Sequence, residues 1–478
     1  MTIVLLFGCG RGGFDMRELR LDQVPGASEG SGDRSSGSSG TGGILGTCND
    51  SPCPTGTCAL GVCVEAQDWF GVGDSDLGSW SNALESSTAS GGGISGSTAS
   101  ATLPALALDS TGGLVIAWHD TSSGIAQVYV RRFDGESWVE LGTLSGRDGG
   151  ISNSLFDVGE PCLATGSTGD IFVGWSGTAA TDDPMQIVVH RYDGTTWTPV
   201  GEGGNLGALR TDGDSRNCDL TIDAEGRPIV AFDDNSTGLR QIYVARFDDD
   251  RWRELGAGSA SGGGLSNAGL VSGRPDIDVD GNGNPMVTWA HNESGIWDTY
   301  ARFFDGSVWA ERAGSASGGG ISNTANSSFG QRLITDASGA PIVVWVDGRS
   351  GNFQVLMRRW SSNAWQEFSP GSGSAGGISN TATSSEWVSL SRDAQGRIIA
   401  AWEERVSDTR WEIYLRRYDG ENWTELSSSA TGGGISNSTG ISSRPATALD
   451  TPDAPCVAWA ESTSSGSQIA LRCHGDRR

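Results

Sequence analysis

The stretch SASGGGISN at 315–323 decides the fold, because nearly the same phrase returns throughout the chain. The other copies of this glycine phrase are GGGIS at 91–95, GGISN at 149–153, GGGLSN at 262–267, GGISN at 376–380 and GGGISN at 432–437. Glycine loses more conformational freedom on folding than any other residue, so a segment this rich in glycine must serve a recurrent backbone shape. Each copy therefore predicts a compact loop whose glycines supply positive φ angles and close backbone approach.

A longer repeat surrounds the glycine phrase. Each unit holds four short apolar stretches separated by turn signals such as DGES at 134–137 and DGNGNP at 280–285. An aromatic residue in the second stretch recurs at intervals of 57, 57, 57, 56, 57 and 57 residues, at Trp118, Trp175, Phe232, Trp289, Trp345, Trp402 and Trp459. A second ladder marks the fourth stretch, at Trp80, Trp138, Trp197, Trp252, Trp309, Trp365 and Trp423. Such units predict an all-β fold, a seven-bladed β-propeller of four-stranded antiparallel blades.

The two ends of the chain predict how the ring closes. The last unit stops after three strands, at 468–478, whereas DSDLGSWSNAL at 74–84 precedes the first unit and matches the turn and fourth strand of the others. We therefore expect this N-terminal segment to complete the last blade, which would remove the exposed edges of an open ring.

Charge limits the possible partners. The chain has 478 residues, with 58 acidic and 32 basic side chains, and its formal net charge is −26. Such a charge repels phosphate backbones and anionic lipid head groups, so no nucleic-acid partner is expected. No apolar run reaches about eighteen residues, so we expect contact with a membrane only through a lipid anchor.

The first residues, MTIVLLFGCG, resemble the lipobox of bacterial lipoproteins, in which a small residue precedes an acylated cysteine. The resemblance implies lipidation at Cys9 and an exported protein, anchored at the bacterial cell envelope or extracellular. A chance apolar start is the alternative, because no basic segment precedes the apolar run. The predicted domains are a lipoprotein-type signal at 1–9, a low-complexity tether at 10–47, a cysteine-rich segment at 48–64 and the propeller at 65–478.

Cysteine usage agrees with export. Apart from Cys9, the chain has an even number of cysteines, as expected for disulfides in an oxidising compartment: Cys48, Cys53, Cys58, Cys63, Cys162, Cys218, Cys456 and Cys473. The first four allow three disulfide connectivities, with a zinc site as the alternative. Cys456 and Cys473 fall on predicted neighbouring strands of the last unit, where hairpin pairing would bring them face to face. Cys162 and Cys218 lie in corresponding first strands of adjacent blades.

The alternating direction of the strands within a blade predicts where a ligand would bind. The loops between second and third strands and the connections between blades share one face, the loop-rich face, where variation and binding should concentrate. Exposed aromatic and polar side chains on that face suit a sugar ring or a partner's side chain. The candidates are Trp297, Phe353, Trp411, His119, Asp120, Asp234, His291, Asp347 and Glu404. The alternative is that the aromatics pack under loops and the carboxylates cap turns.

One segment suggests a metal. DVDGNGN at 278–284 places Asp278, Asp280, Asn282 and Asn284 at alternating positions, as in the first half of an EF-hand loop. It also resembles the calcium-binding hairpin loops of integrin α-chain propellers. The twelfth position is Trp289 instead of glutamate, so calcium is a possible ligand and no other cofactor is expected.

The function prediction rests on the fold and on the lack of catalytic motifs. No Walker loop or His-Glu-x-x-His motif occurs. The recurring third-strand arginines are expected to pair with carboxylates of the blades: Arg131, Arg191, Arg246, Arg302, Arg358 and Arg416. Residues 74–478 resemble exported bacterial β-propeller repeat lipoproteins. The resemblance implies a surface or secreted binding module for glycan or protein. A glycosidase or sialidase-like propeller enzyme is the alternative, and a structural surface protein is the third possibility. A unique deep pocket with two carboxylates would favour the enzyme.

Overall fold

The computed structural model describes residues 46–47, 56–59, 62–65, 69–71, 94–135, 137–201, 213–293, 295–349, 351–374, 376–449, 454–464 and 466–474. The chain divides into two units, Met1–Thr41 and Gly42–Arg478, and all of these residues belong to the second. The predicted lipoprotein signal and almost all of the predicted tether lie outside the described residues. Within the described part, no helix is long and apolar enough to cross a membrane.

Seven four-stranded antiparallel sheets form the blades, as the repeat predicts. The first blade consists of β5 Ala101–Leu108, β6 Leu114–Asp120, β7 Gln127–Phe133 and β8 Trp138–Glu140, and the second of β9 Cys162–Thr165, β10 Ile171–Gly177, β11 Gln186–Tyr192 and β12 Trp197–Pro199. The third consists of β13 Ser215–Ile222, β14 Pro228–Asp234, β15 Gln241–Asp248 and β16 Arg251–Glu254, and the fourth of β17 Ser272–Val279, β18 Pro285–Glu293, β19 Ile296–Phe304 and β20 Trp309–Ala310. The last three consist of β21 Ser328–Thr335, β22 Pro341–Asp347, β23 Gln354–Ser361 and β24 Ala364–Glu367; β25 Ser385–Arg392, β26 Ile398–Ser407, β27 Arg410–Tyr418 and β28 Trp423–Thr424; and β29 Ser442–Leu449, β30 Pro455–Thr463, β31 Gly466–His474 and β4 Trp69–Gly71.

The blades close into a ring around a central channel. The first strand of every blade contacts the first strands of both neighbouring blades, including β29 with β5. The buried side chains form seven apolar clusters, and each cluster fills the space between two neighbouring blades. The second-strand aromatics lie at the centre of these clusters, and Trp118, Trp345 and Trp402 are completely buried. The hydrophobic core of the propeller is therefore the sum of its blade interfaces.

An N-terminal strand completes the last blade, as predicted, but it is a different strand from the one expected. The strand is β4, which pairs antiparallel with β31 so that Trp69 lies opposite His474. Trp69 donates its indole N–H to Leu426 O at 3.0 Å, just as Trp197 donates to Leu141 O at 2.7 Å in the second blade. Trp69 therefore replaces Trp80 in the second tryptophan ladder, and residues 74–84, the predicted closing segment, lie outside the described residues.

The glycine phrase covers the outer edge of the third strand. In the fourth blade, Ala301 N–H donates to Ser315 O at 2.8 Å, and Ile321 N–H donates to Thr299 O at 2.7 Å. The side chain of Ile321 enters the core, and Ser322 Oγ donates to the Asp298 carboxylate at 2.6 Å. The loop thus pairs with strand groups that the short fourth strand leaves without a partner. The same backbone bond, at 2.6 to 2.9 Å, is made by Ile94, Ile151, Leu265, Ile378 and Ile435.

The glycines of the phrase have the predicted geometry. Gly320 has a φ of +62°, and a Cβ at this position would lie 2.7 Å from Cε1 of Tyr300 and closer still to the carbonyl oxygen of Thr299. A side chain is therefore excluded by both backbone conformation and space.

The recurring arginines divide into two sets. Arg131 and Arg416 donate to the carbonyl oxygens of the glycine-phrase residues Ile94 and Ile378, each at 2.7 Å, and so tie each blade to the loop before it. Arg191 lies one position further along its strand and pairs with Asp170 at 2.8 Å. The expected pairing with carboxylates therefore holds for only part of the ladder.

Two disulfides staple the ring, in the positions predicted. Cys162–Cys218 joins the first strands of the second and third blades, and Cys456–Cys473 joins neighbouring strands of the last blade. Ahead of the ring, β1 Gly46–Thr47, β2 Gly56–Ala59 and β3 Val62–Glu65 form a small sheet in the order β1-β3-β2, in which Cys58 and Cys63 occupy directly opposite positions.

Candidate ligand site at the mouth of the central channel

The carboxylates predicted at the ends of the second strands lie inside the blades. Glu404 shows the shared arrangement: its Oε2 accepts hydrogen bonds from Trp402 Nε1 at 2.9 Å and Ser385 Oγ at 2.7 Å. Asp120, Asp234 and Asp347 likewise accept hydrogen bonds from a serine, a tryptophan or both in their own blades or the adjoining loop. These carboxylates are at most 2% exposed, and ligand binding by them stays a prediction. Their oxygens satisfy donors of the blade itself.

The predicted aromatic edge is also covered. Trp297 is 8% exposed and Trp411 is 3% exposed. Phe353 is half-buried and packs edge-to-face on Phe329 at 5.0 Å. These aromatic side chains therefore pack within the fold, as the alternative prediction has it. Ligand binding by them stays a prediction.

The two predicted histidines contact neighbouring elements of the fold. The Nε2–H of His119 donates to Val158 O at 3.2 Å, and burial lowers the pKa of His119. His291 Nδ1 lies 2.9 Å from Ser272 Oγ, and burial lowers its pKa as well. Both rings are therefore held neutral near pH 7 and take part in packing.

The predicted calcium hairpin behaves as an ordinary turn of this repeat. Asp280 Oδ1 accepts the backbone N–H groups of Asn282 and Asn284, each at 2.9 Å. Turns without the EF-hand pattern do the same through Asp109, Asp223, Asp336 and Asp393. Among the described residues, no group of three or more histidine, cysteine or acidic side chains is arranged to hold a metal ion. Calcium binding stays a prediction.

A different set of residues meets at the channel mouth. In six blades, the first strand has a β-bulge near its start, which changes its register against the second strand. The residue at the bulge has a positive φ, from 49° to 62°. In the second blade the equivalent position is Glu160, because Cys162 pairs with Gly174 as Asp219 pairs with Ala231. These seven equivalent positions form the channel ring: Leu103, Glu160, Asn217, Arg274, Gly330, Trp387 and Arg444.

Four residues of the channel ring line a concave space along the channel: Leu103, Glu160, Asn217 and Arg274. A cavity of about 380 Å³ follows the channel and is lined by residues of all seven first strands. Because a first strand begins where one blade connects to the next, the ring lies at the loop-rich end of the channel. Asp278, four residues beyond the ring in the fourth blade, lies deeper in the same cavity.

Side chains of the channel ring contact one another across the channel. Arg274 of the fourth blade pairs with Glu160 of the second blade at 3.7 Å. The guanidinium carbon of Arg274 also lies 5.1 Å from the ring centre of Trp387 in the sixth blade, and that of Arg444 lies 3.5 Å from it. One layer deeper, Arg332 pairs with Asp276 at 3.6 Å. Five blades thus contribute to one connected group of charged and aromatic side chains.

The two carboxylates in this group have opposite pKa shifts. Burial disfavours ionisation of Glu160, but Arg274, Arg444 and Arg332 together outweigh burial and hold the pKa of Glu160 below its usual range. Burial, with the neighbouring carboxylate of Asp219, raises the pKa of Asp276 well above the usual range. The mouth of the channel therefore stabilises an anion, whereas the layer below favours protonated carboxyl groups.

Buried acids hold the backbone of the channel ring in place. Asp233 Oδ2 accepts the backbone N–H of Arg274 at 3.0 Å and the side-chain amide of Asn217 at 2.7 Å. Glu403 Oε1 accepts the backbone N–H of Arg444 at 2.7 Å. Each acid belongs to the second strand of the preceding blade, so adjacent blades fix the ring positions jointly.

The channel ring is absent from the residues that strand direction predicts, although the sequence carries a signal for it. Proline follows the ring residue in four blades, at Pro104, Pro161, Pro275 and Pro445. Proline inside a strand marks an edge or a bulge. The residue just before the proline occupies the same place in each repeat but differs in type between blades. Together these features mark a position where the strand bulges and the blades differ.

The fold and site define a seven-bladed propeller with one asymmetric polar site at its channel mouth. No protein-family model matches the chain, and no curated protein sequence matches it. Among solved structures, the chain is similar to a protein of unknown function from Dyadobacter fermentans, with 14% identity, a TM-score of 0.43, and coverage of 80% of this chain and 96% of that one. It is also similar to a polysaccharide lyase of family PL25, an ulvan lyase (13% identity, TM-score 0.46, coverage 79% and 94%). A third is the α-L-arabinanase of Penicillium chrysogenum (13%, 0.41, 78% and 92%).

Proposed function

We propose that the protein is a binding module that takes a glycan into the mouth of its central channel. The observation that supports this proposal is the channel ring, in which seven equivalent positions carry six residue types. The second-strand aromatics, by contrast, repeat from blade to blade, as the packing of similar blades requires. Unlike side chains that converge on one concave place suit a single asymmetric ligand.

The shape of the site favours a saccharide over a protein partner. A cavity of about 380 Å³ is within the size range of small-molecule sites. A stable protein interface needs roughly 1,000 Å² or more of complementary surface with an apolar centre. Large exposed apolar side chains in the described residues are few and belong to different blades and loops: Leu144, Leu155, Leu239, Leu270 and Val308. A hydroxyl-rich ligand that enters a polar channel is therefore preferred to a protein surface.

A glycan array probed with the full chain tests this proposal. Wild type and R147Q are expected to bind the same glycans, because Arg147 is 64% exposed and lies outside the mouth. R444Q is expected to lose that binding, since it removes a guanidinium from the channel ring. Probing with calcium and again with chelator tests the predicted metal site at Asp278 and Asp280. Silence of the wild type on every glycan, or full binding by R444Q, would contradict the proposal.

A glycan-cleaving enzyme is the second candidate, and one observation favours it. Glu160 and Asp276 line the same cavity, and their environments shift their pKa values in opposite directions. Glycoside hydrolysis needs one ionised and one protonated carboxyl group at the reaction centre. Release of new reducing ends from a bound glycan, abolished separately by E160Q and D276N but retained by R147Q, would establish this function. If the protein binds a glycan and releases no new reducing ends, the binding-module proposal stands and the enzyme proposal fails.

We also infer that the protein is exported. The Cys162–Cys218 and Cys456–Cys473 disulfides support an oxidising compartment, and lipidation of Cys9 remains the predicted mode of attachment.

A further inference from the structure

We propose that the ligand is a carboxylate-bearing saccharide, whose carboxylate replaces that of Glu160 among Arg274, Arg332 and Arg444. This inference rests on the proposed function and specifies its ligand class. A uronic acid combines the required anion with the hydroxyl groups that suit the polar channel.

The three arginines act on one place. Arg274 contacts Glu160 directly at 3.7 Å. Arg444 lies over the same Trp387 ring as Arg274, and Arg332 lines the same cavity as Glu160. Both join Arg274 in lowering the pKa of Glu160, although burial opposes ionisation there. The side chain of Glu160 thus reports that the mouth already stabilises a carboxylate against the loss of water. A carboxylate on a ligand would gain the same interactions.

Blade packing does not require these arginines. The ring positions equivalent to Arg274 and Arg444 in other blades carry a leucine, an asparagine, a glycine and a tryptophan, in addition to Glu160. The position equivalent to Arg332 carries alanine, cysteine, aspartate or serine in the other blades. Since these blades have the same four-stranded form, the arginines are specific to this one cluster.

Trp387 is a positioning residue for two of the guanidiniums. Its indole is 8% exposed, and the guanidiniums of Arg274 and Arg444 lie 5.1 and 3.5 Å from its ring centre. A guanidinium over an aromatic ring is held there by cation–π attraction, which uses none of the N–H donors that bind a carboxylate. The tryptophan therefore orders the donors without itself needing contact with the ligand.

The contribution of Glu160 can be tested separately. Glu160 competes with a ligand carboxylate for the same arginines, so E160Q should tighten binding of an acidic ligand, whereas R274Q and R444Q should weaken it. A purely structural ion pair predicts that E160Q weakens binding or leaves it unchanged. The two roles therefore predict different signs for one substitution.

Calorimetric titration of the full chain with trigalacturonate and with its methyl ester tests the inference, because the two probes share one sugar chain and the ester carries uncharged methyl ester groups in place of the carboxylates. We expect trigalacturonate to bind at least tenfold more tightly than the ester. E160Q should tighten trigalacturonate binding by about tenfold, and R274Q and R444Q should each weaken it by at least that factor. R147Q serves as the surface control, and circular dichroism verifies the fold of each variant.

The outcomes separate the inference from the proposed function. Equal binding of acid and ester, or an E160Q affinity that does not rise, overturns the inference. If neither probe binds while the array shows neutral glycans at the R444Q-sensitive site, the inference fails and the proposed function stands. If neither probe nor any arrayed glycan binds, the proposed function fails with it.

Discussion

Replacing Gly320 with alanine should cost far more stability than replacing Gly318, two residues earlier in the same phrase. Both glycines have positive φ, +54° at Gly318 and +62° at Gly320, so the cost of placing a Cβ in this conformation, about 1 kcal/mol, is matched. A Cβ at Gly318 meets nothing within 4 Å, whereas at Gly320 it lies 2.7 Å from Cε1 of Tyr300 and closer to Thr299 O. Neither neighbour can yield easily, because one is backbone and Tyr300 is held by a 2.9 Å bond to Glu293.

The loop must therefore move away in G320A. That movement breaks the bond from Ile321 N–H to Thr299 O, at about 1 kcal/mol, and exposes part of a side chain whose full burial contributes about 1.5–3 kcal/mol. We expect G320A to be less stable than G318A by about 2–4 kcal/mol, measured by urea unfolding followed through tryptophan fluorescence. The pair G432A and G434A should show the same gap, since only Gly434 approaches backbone and a tyrosine ring. Equal losses within each pair would refute the steric argument.

Three further predictions concern pH, disulfides and the N-terminus. Burial raises the pKa of Asp278 from 3.8 to about 6, so the folded state holds this proton more tightly than the unfolded state. The resulting stability is complete below pH 3.8 and is lost, by about 3 kcal/mol, as pH rises through about 6; D278N should remove this part of the pH dependence in urea unfolding. The double variant C162A/C218A should unfold about 4 kcal/mol more easily, because the bond closes a loop with a sequence separation of 56; an unchanged midpoint would show that the staple constrains little. Cell-envelope protein should incorporate labelled fatty acid in wild type and lose the label in C9A, and equal labelling would exclude Cys9 as the lipidation site.

The repeat period was enough to predict the fold, because seven equal units with strand and turn signals leave few other ways to bury their apolar faces. The closing strand was misidentified for a local reason. Trp80 follows a glycine-containing turn, as four of the other fourth-strand tryptophans do, whereas Trp69 lacks that context. The structure chooses Trp69 through its bond to Leu426 O, a contact between segments more than three hundred residues apart that no local pattern reveals.

The candidate site was harder to predict because strand direction places a side chain on one face of the propeller but does not reveal its hydrogen-bond partners. Asp347 lies at the expected end of its strand, yet Ser328 and Trp345 occupy its oxygens. The bulges add a second difficulty. They place Arg274 and Arg444 in the channel by changing the strand register, and strict alternation through the first strand does not anticipate that change.

The bulged first strands also have a consequence for how such proteins diversify. Arg274 and Arg444 sit on a backbone that their own blade and the preceding blade hold in place, so a point mutation at either position alters the chemistry of the mouth while the tryptophan interfaces stay intact. Leucine, glycine and tryptophan are all accommodated at these equivalent positions. A library randomised at only these seven codons would therefore sample many binding chemistries on one folded scaffold, and duplication of a blade supplies each new position already built.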